Sequence, residues 1–236
     1  MIFYYGNPIL IAAAVIPAIV LLIQVNKADK LDREPPMLLI SLVVRGIIST
    51  SLAMFTERIG TAILDSLWPE NSVIYRVLMY FVVVGLSEEG FKYLVLKGRT
   101  WLSPAFNCQF DGVVYAVSVS LGFALWENIG YVAMYGLGTA MVRAVTAVPG
   151  HACFGVFMGA FYGMAKRYDN YGYPEESKRC RRLAVVVPMA LHGSYDYIAS
   201  SESGSSEWVF LLFVAALFLL TSRMVKRLSQ SDRYID

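Results

Sequence analysis

The sequence contains few of the residues on which disulfide-stabilised proteins and most cysteine-ligated metal sites depend. Of its 236 residues, three are cysteines, two are histidines and only 16% are charged. Cys108, Cys153 and Cys180 lie far apart and form no CxxC pair, so neither a cysteine zinc site nor a disulfide framework is expected. The net charge is +2 and the basic residues are dispersed, which leaves no basic patch for binding nucleic acid.

Apolar residues, by contrast, are abundant and occur in long blocks. Hydrophobic residues make up 57% of the chain, against about 45–50% in an ordinary soluble domain. The blocks that are long enough to cross about 30 Å of hydrocarbon are Ile2–Val25, Met37–Ile59, Ser72–Leu96, Asp111–Tyr135, Thr139–Ala165, Leu183–Ser200 and Trp208–Val225. The sequence therefore predicts an all-α, polytopic transmembrane helix bundle of about seven spans, which forms one membrane-embedded domain over residues 1–236.

The distribution of lysine and arginine predicts the orientation of this bundle. Basic residues are concentrated between spans one and two, three and four, and five and six, and again after span seven. The other connections carry mainly acidic residues, among them Glu57 and Glu202, with Arg58 as their cation. Because basic loops stay in the cytoplasm, we expect the N-terminus outside and the C-terminus inside.

Several ionisable residues fall within the predicted spans, where a charge is costly. A charged side chain near the bilayer centre costs at least about 2.5–3.5 kcal/mol, so such groups usually face the bundle interior, pair with each other or line a polar cavity. The residues concerned are Arg45, Arg76, Glu88, Glu89, Lys92, Glu127, Arg143, His151, His192 and Asp196. Arg76 lies near a span end, where it can reach the interface, and we expect it to be structural.

Span three contains two adjacent glutamates followed by a lysine. Glu88 and Glu89 point about 100° apart on a helix, and Lys92 follows them at four and three residues. Either carboxylate can therefore pair with Lys92. This spacing predicts that one glutamate is held charged by Lys92 while the other projects into a cavity. The alternative is a buried ion pair that only orients helices.

Span four carries Glu127 and Asn128 in an otherwise apolar run. The structural alternative for Glu127 is that it only pairs with Arg143 or Arg45. Small residues on the same span predict close helix packing, and they are Gly112, Ala116, Ser120, Gly122 and Gly130.

Both histidines of the chain, His151 and His192, lie at predicted membrane depth on spans five and six. A single histidine within a membrane span usually makes a structural hydrogen bond. Two histidines beside three buried glutamates instead favour a catalytic role. Asp196 follows His192 by four residues and so shares its helix face. We expect Asp196 to orient the imidazole.

Six blocks together resemble the PrsW-type intramembrane proteases, which are distantly similar to the type II CAAX prenyl proteases. They are LDREPP at 31–36, EEGFK at 88–92, FDGVVY at 110–115, GFALWEN at 122–128, RAVTAVPGH at 143–151 and LHGSYD at 191–196. The resemblance implies a multi-pass protein of a prokaryotic cell membrane. It also implies an intramembrane endopeptidase whose catalytic centre contains Glu88, Glu89, Glu127, His151 and His192. Its implied substrate is a membrane-anchored protein, such as a single-span anti-sigma factor cut to start a signalling cascade.

Peptide hydrolysis needs a base that activates water and a donor that stabilises the oxyanion. Glu88 or Glu89 is the best candidate base, and a protonated histidine or Asn128 is a candidate donor. Lys92, Arg143 and Asp196 complete the supporting set.

The metal requirement stays open at the level of sequence. Glu88, His151 and His192 provide one carboxylate and two imidazoles, which suit a catalytic zinc ion with an open position for water. However, the chain has no HExxH motif, so no single helix supplies both histidines. The sequence slightly favours metal-free glutamate catalysis.

Two other classes of protein fit the buried charges less well. Intramembrane Glu, His, Lys and Arg also build the proton relays of transporters, but the sequence has no inverted repeat and no matching pair of broken helices. A non-catalytic scaffold or sensor of the same fold does not need the paired glutamates, which are present.

Overall fold

The structure is a computed structural model that describes residues 8–201 and 206–235. The start of the first predicted span at Ile2 and the predicted outer residue Glu202 lie outside these ranges. The helices are α1 (Pro8–Ala28), α2 (Pro36–Leu67), α3 (Val73–Val77), a π-helical segment (Leu78–Leu86), α4 (Ser87–Thr100), α5 (Asp111–Tyr135), α6 (Leu137–Val145), α7 (Ala147–Asn170), α8 (Pro174–Ala199) and α9 (Ser206–Gln230). The described chain is thus all-helical apart from an isolated β-bridge between Cys108 and Tyr234.

Five helical stretches in the described ranges are long and apolar enough to cross a membrane. They are Pro8–Ala28, Pro36–Leu67, Asp111–Tyr135, Leu137–Asn170 and Ser206–Gln230. The two remaining predicted spans lie within the continuous helix from α3 to α4 and within α8. These helices carry many of the ionisable residues, such as Glu88, Glu89 and Lys92 on α4, which lowers their hydropathy.

Helix α5 lies at the centre of the bundle, between α1, α2 and α7. A β-carbon on Gly122 would overlap the carbonyl oxygen of Val43 in α2. A β-carbon on Gly112 would lie 2.7 Å from the carbonyl oxygen of Gly159 in α7. The predicted role of these two small residues in close packing is confirmed, whereas Gly130 has no neighbour within 4 Å of such an atom.

The predicted fifth span is divided into two helices at Thr146, whose φ of −119° and ψ of −69° interrupt the helix. Pro149 explains the position of the break. It has no N–H to donate to the carbonyl of Val145, and its ring would clash with that carbonyl in a continuous helix. Within α7 the same proline falls in the first turn, where it is tolerated.

The π-helical segment comes directly before the paired glutamates and packs tightly on α8. A β-carbon on Gly85 would lie 3.0 Å from the carbonyl oxygen of Met189, and one on Gly193 would lie 2.7 Å from the ring of Phe81. π-Helical turns are rare and often occur at functional sites. Here the segment changes the rotation of the helix just before Glu88.

Three connections and the C-terminal segment meet at one end of the bundle. Asn107, between α4 and α5, donates from its side-chain amide to Asp32, between α1 and α2, at 2.8 Å. The backbone N–H of Ile235 donates to the carbonyl of Asn107 at 2.8 Å, and the Asn170 side chain at the end of α7 donates to the carbonyl of Ile235 at 2.7 Å. These connections are the ones in which the basic residues are concentrated, and the structure brings them to the same end of the bundle.

Candidate active site

Lys92 lies at the centre of a fully buried polar cluster and contacts three acceptors. Its Nζ atom lies 3.1 Å from Glu88 Oε2, 2.7 Å from Glu89 Oε1 and 3.1 Å from His151 Nδ1. An ammonium group has three donors, so all of them are used here. The same nitrogen lies 4.0 Å from the ring centroid of Phe123, where a cation–π contact adds to its stabilisation.

His192 joins α8 to the two glutamates. Its Nδ1 lies 2.9 Å from Glu89 Oε1 and 3.8 Å from Glu88 Oε2. Its Nε2 lies 3.4 Å from Asp196 Oδ2, one helical turn further along α8, as the spacing predicts. The ring of Phe154 stacks on the imidazole with centroids 4.8 Å apart, which holds the ring in place from the α7 side.

Glu127 extends the cluster to a second group of side chains. Its Oε2 accepts hydrogen bonds from Arg143 Nη2 at 2.8 Å and from His151 Nε2 at 2.9 Å, if that ring nitrogen carries the proton. The structural alternative, a pair with Arg143, is therefore present, but His151 is joined to it. Arg45 is exposed, so the expectation that it faces the bundle interior or pairs with Glu127 is wrong.

Arg76 behaves as a structural residue, as predicted. Its guanidinium donates to the carbonyl of Tyr197 and to the hydroxyls of Ser200 and Ser201, at distances of 3.1–3.4 Å. It thereby ties α3 to the end of α8.

A cavity of about 420 Å³ opens beside the cluster. Among the predicted site residues it is lined by Glu88, Glu127, Arg143, His151, His192 and Asp196. Glu89 and Lys92 are completely buried behind it. The two adjacent glutamates thus differ as their spacing predicts, with Glu88 facing the cavity and Glu89 facing the protein, although Lys92 contacts both.

Asn128 is placed differently from the expectation that it supplies an oxyanion donor. It is fully buried and does not line the cavity. Its side-chain amide donates to the carbonyl of Ala14 in α1 at 2.9 Å, and its oxygen accepts from Arg143 Nε at 3.0 Å. Asn128 is thus buried away from the cavity, and its oxygen positions Arg143.

Glu57 lies on α2 and lines the cavity, so its predicted place in an outer connection is wrong. Helix α2 continues to Leu67, and the Glu57 side chain lines the cavity together with Glu88 and Glu127. Its Oε1 atom is buried without a hydrogen-bond partner. The helical period was the available signal, since Gly46, Thr50 and Ala53 lie on the same buried face of α2.

Aromatic residues that the sequence did not indicate as site residues also line the cavity. Tyr195 borders the cavity and packs against Phe154. Tyr80 and Tyr131 lie at the same cavity.

A second groove of about 390 Å³ runs between α2 and α5 and shares Glu57, Glu88 and Glu127 with the cavity. Its other lining residues include Met54 and Met134, which are 47% and 61% exposed on the apolar outer surface. The cluster is therefore connected to the apolar outer surface of the bundle.

The cluster offers the donor atoms that a metal ion needs. One donor atom from each of Glu88, Glu89, His151 and His192 lies within 4.8 Å of the others. Glu89 Oε2 is buried without a hydrogen-bond partner, so one ligand is unsatisfied. Two imidazoles with carboxylates form a normal zinc ligand set. Lys92 already contacts three of the four residues and would have to move aside.

These features define a class of protein, namely an integral membrane helix bundle with a buried glutamate and histidine centre beside a polar cavity. A family model described as "PrsW family intramembrane metalloprotease" matches residues 34–221. The chain belongs to this family and is an intramembrane protease. Membership decides against the transporter and scaffold alternatives, and the family description favours a metal at the site.

Curated relatives cover nearly the whole chain. The Protease PrsW of Oceanobacillus iheyensis is 32% identical over 224 residues, covering 94% of this chain and 97% of its own. That of Bacillus subtilis is 32% identical over 210 residues, with 89% and 90% covered. That of Halalkalibacterium halodurans is 31% identical over 224 residues, with 95% and 99% covered. No solved structure matches the chain.

Proposed function

We propose that this protein hydrolyses a peptide bond within or beside the transmembrane segment of a membrane-anchored protein. The observation that carries the proposal is the position of Glu88, a carboxylate at membrane depth that faces a polar cavity of about 420 Å³. Water can reach a carboxylate there, whereas lipid-facing positions of the same helix exclude it. A family-like substrate is a single-span anti-sigma factor.

Glu88 is the proposed base, and Glu89 is its support. Glu88 lines the cavity and can take a proton from a water molecule there. Glu89 is fully buried and is held by Lys92 at 2.7 Å and by His192 at 2.9 Å. It therefore fixes these two side chains, and through them the orientation of Glu88.

The donors that face the cavity are proposed to stabilise the oxyanion. Arg143 and His192 both line it. Arg143 is positioned by Asn128 at 3.0 Å and by Glu127 at 2.8 Å. A positive donor that is fixed before the reaction stabilises developing negative charge without further reorganisation.

As the metal-dependent alternative to free-carboxylate catalysis by Glu88, we propose that Glu88, His151 and His192 hold a zinc ion. When bound, such an ion polarises a carbonyl and makes its water more acidic. Asp196 would orient the ring from His192 Nε2, at 3.4 Å, and Nδ1, which now lies 2.9 Å from Glu89, would be the nitrogen that faces the ion.

The groove between α2 and α5 is the proposed path of the substrate. It connects the exposed apolar side chains of Met54 and Met134 to Glu88 and Glu127. A substrate helix that arrives through the bilayer can reach the cluster from this side. It must unwind locally, because its own hydrogen bonds hide the scissile carbonyl.

The cavity also indicates which end of the bundle supplies water. Its lining includes Ala199 and Ser200 at the end of α8, opposite the end at which Asn107 and Asp32 meet. With seven spans and the N-terminus outside, as the basic connections predict, this is the outer face. We therefore place the cut in the outer half of the substrate's transmembrane segment or just beyond it.

A reconstituted cleavage assay tests the proposal. A single-span substrate and the same protein without its transmembrane segment are incubated with the enzyme in liposomes. Cleavage of the first alone is expected. Equal cleavage of both, at a site far out in the soluble domain, would show that substrates do not arrive through the bilayer.

A further inference from the structure

A second cluster of carboxylates lies at the other end of α5, where Asp111 is the first residue of the helix. Asp29 and Glu34, in the connection between α1 and α2, complete it. The three residues are 1%, 6% and 0% exposed, and one oxygen from each lies within 4.8 Å of the others. At 1.5 Å per residue, Asp111 lies about 24 Å along the helix from Glu127, so the two clusters are separate.

The oxygens of this cluster lack the partners that buried carboxylates normally have. Both carboxylate oxygens of Asp29, Glu34 Oε2 and Asp111 Oδ1 are buried without a hydrogen-bond partner. The backbone amides of Leu31 and Asp32 act on the Asp29 carboxylate without reaching normal hydrogen-bond geometry. A buried carboxylate without a partner is strongly disfavoured, so a bound cation would stabilise these oxygens.

The surroundings add negative charge. Burial, followed by Asp232 and Asp32, raises the pKa of Asp29 to about 6. Burial raises the pKa of Glu34 to about 7, and Asp29 adds to this rise. In the active site, Lys92 neutralises the glutamates. Among the described residues, the groups that most strongly shift the pKa of Asp29 and Glu34 are instead other carboxylates and hydrogen-bond donors.

We propose that Asp29, Glu34 and Asp111 bind a hard divalent cation, Mg²⁺ or Ca²⁺, at a structural site separate from the active site. The donors are all carboxylate oxygens, which these cations prefer, whereas the imidazoles of the active-site cluster suit zinc. Asp111 already uses its second oxygen to accept from the backbone of Asn107 and Cys108, at 3.0 and 2.7 Å. That bonding holds its free oxygen towards the other two carboxylates.

The cation would fix α5 relative to α1. At one end of α5, it links Asp111 to the connection that follows α1. Towards the other end, Asn128 donates to the carbonyl of Ala14 in α1 at 2.9 Å. With both attachments in place, α5 cannot rotate or slide against α1, and Glu127 keeps its position at the cavity.

The test is the cation-dependent melting temperature of the full chain in detergent, after treatment with a chelator. Saturating Mg²⁺ or Ca²⁺, in separate experiments, is expected to raise the melting temperature of the wild type by about 5 °C. Asp29→Asn and Glu34→Gln are expected to reduce this increment to less than about 1 °C. Asp169→Asn, an exposed carboxylate at the same end, and His192→Ala, in the other cluster, should keep it.

Calorimetric titration of the wild type with each cation gives a second reading that needs no variant to fold. Saturable binding of one equivalent that does not require His192 supports the site. The proposal is overturned if neither cation binds or raises the melting temperature. It is also overturned if the increment survives in both Asp29→Asn and Glu34→Gln.

Discussion

The ammonium nitrogen of Lys92 lies 3.1 Å from Nδ1 of His151, and this contact assigns the proton on the imidazole. A charged lysine has donors only, so Nδ1 must accept. The remaining proton of a neutral ring then lies on Nε2, which donates to Glu127 Oε2 at 2.9 Å. His151 is thus a neutral bridge between the Lys92 group and the Glu127 group.

Lys92→Met is expected to destabilise the protein strongly. It leaves Glu88 and Glu89 buried without their cation, and breaking a buried ion pair from one side costs about 3–5 kcal/mol. Thermal unfolding in detergent measures the loss. Lys97→Met, on the same helix but outside the cluster, is the matched control. If the two variants melted at the same temperature, Lys92 would not be neutralising the glutamates.

His192 and Asp196 are expected to differ in their effects on turnover. His192→Ala should abolish cleavage, because it removes a side chain that lines the cavity and contacts both glutamates. Asp196→Asn should lower kcat only partly, since Asp196 contacts the ring from outside at 3.4 Å. Ser194→Ala on the same helix is the control. If Asp196→Asn lost as much activity as His192→Ala, Asp196 would do more than orient the ring.

The sequence predicted the helices, and which residues come together at the site, better than it predicted the contacts between those residues. The cost of burying charge was enough to select Glu88, Glu127 and His192 among many helical residues. It selected Arg45 as well, and wrongly, because hydropathy does not tell which way a side chain points. A residue that is one position further along a helix points about 100° away.

Contacts between helices could not be predicted from the sequence for the same reason. The link from Lys92 to His151 depends on the rotation of α4, which follows a π-helical segment that no pattern predicted. The hydrogen bond from Asn128 to the backbone of α1 depends on how α1 and α5 cross. Glu57 was missed because its position two residues before the predicted span end at Ile59 suggested an outer connection, whereas α2 continues to Leu67.

The predicted topology can be tested by labelling cysteines in intact cells. A cysteine placed near Gly204, which lies outside the described residues, should react with an impermeant reagent. One at Tyr171, an exposed residue at the end of α7, should be protected until the membrane is opened. The native cysteines Cys108, Cys153 and Cys180 are buried and should give little background. The reverse pattern would refute the orientation.

The zinc proposal predicts a metal content and a reversible dependence. Purified protein should contain about one equivalent of zinc, and His151→Ala should lose it. Chelation should stop cleavage, and added zinc should restore it. Full activity of zinc-free protein would favour the metal-free glutamate mechanism instead. Because the cation proposed for the carboxylate cluster is Mg²⁺ or Ca²⁺, only the zinc content tests the active-site proposal.

The most direct test of the account compares wild type with Glu88→Gln on one single-span substrate in liposomes, with the product termini mapped by mass spectrometry. Glutamine keeps the size of the side chain but cannot act as a base, so kcat should fall by about 10²–10⁴-fold while the melting temperature stays close to that of wild type. Glu176→Gln, an exposed glutamate at the start of α8, should remain fully active. Wild type is expected to make one cut within or beside the transmembrane segment, and Glu88→Gln is expected not to make it. The same cut made at an undiminished rate by Glu88→Gln would contradict it.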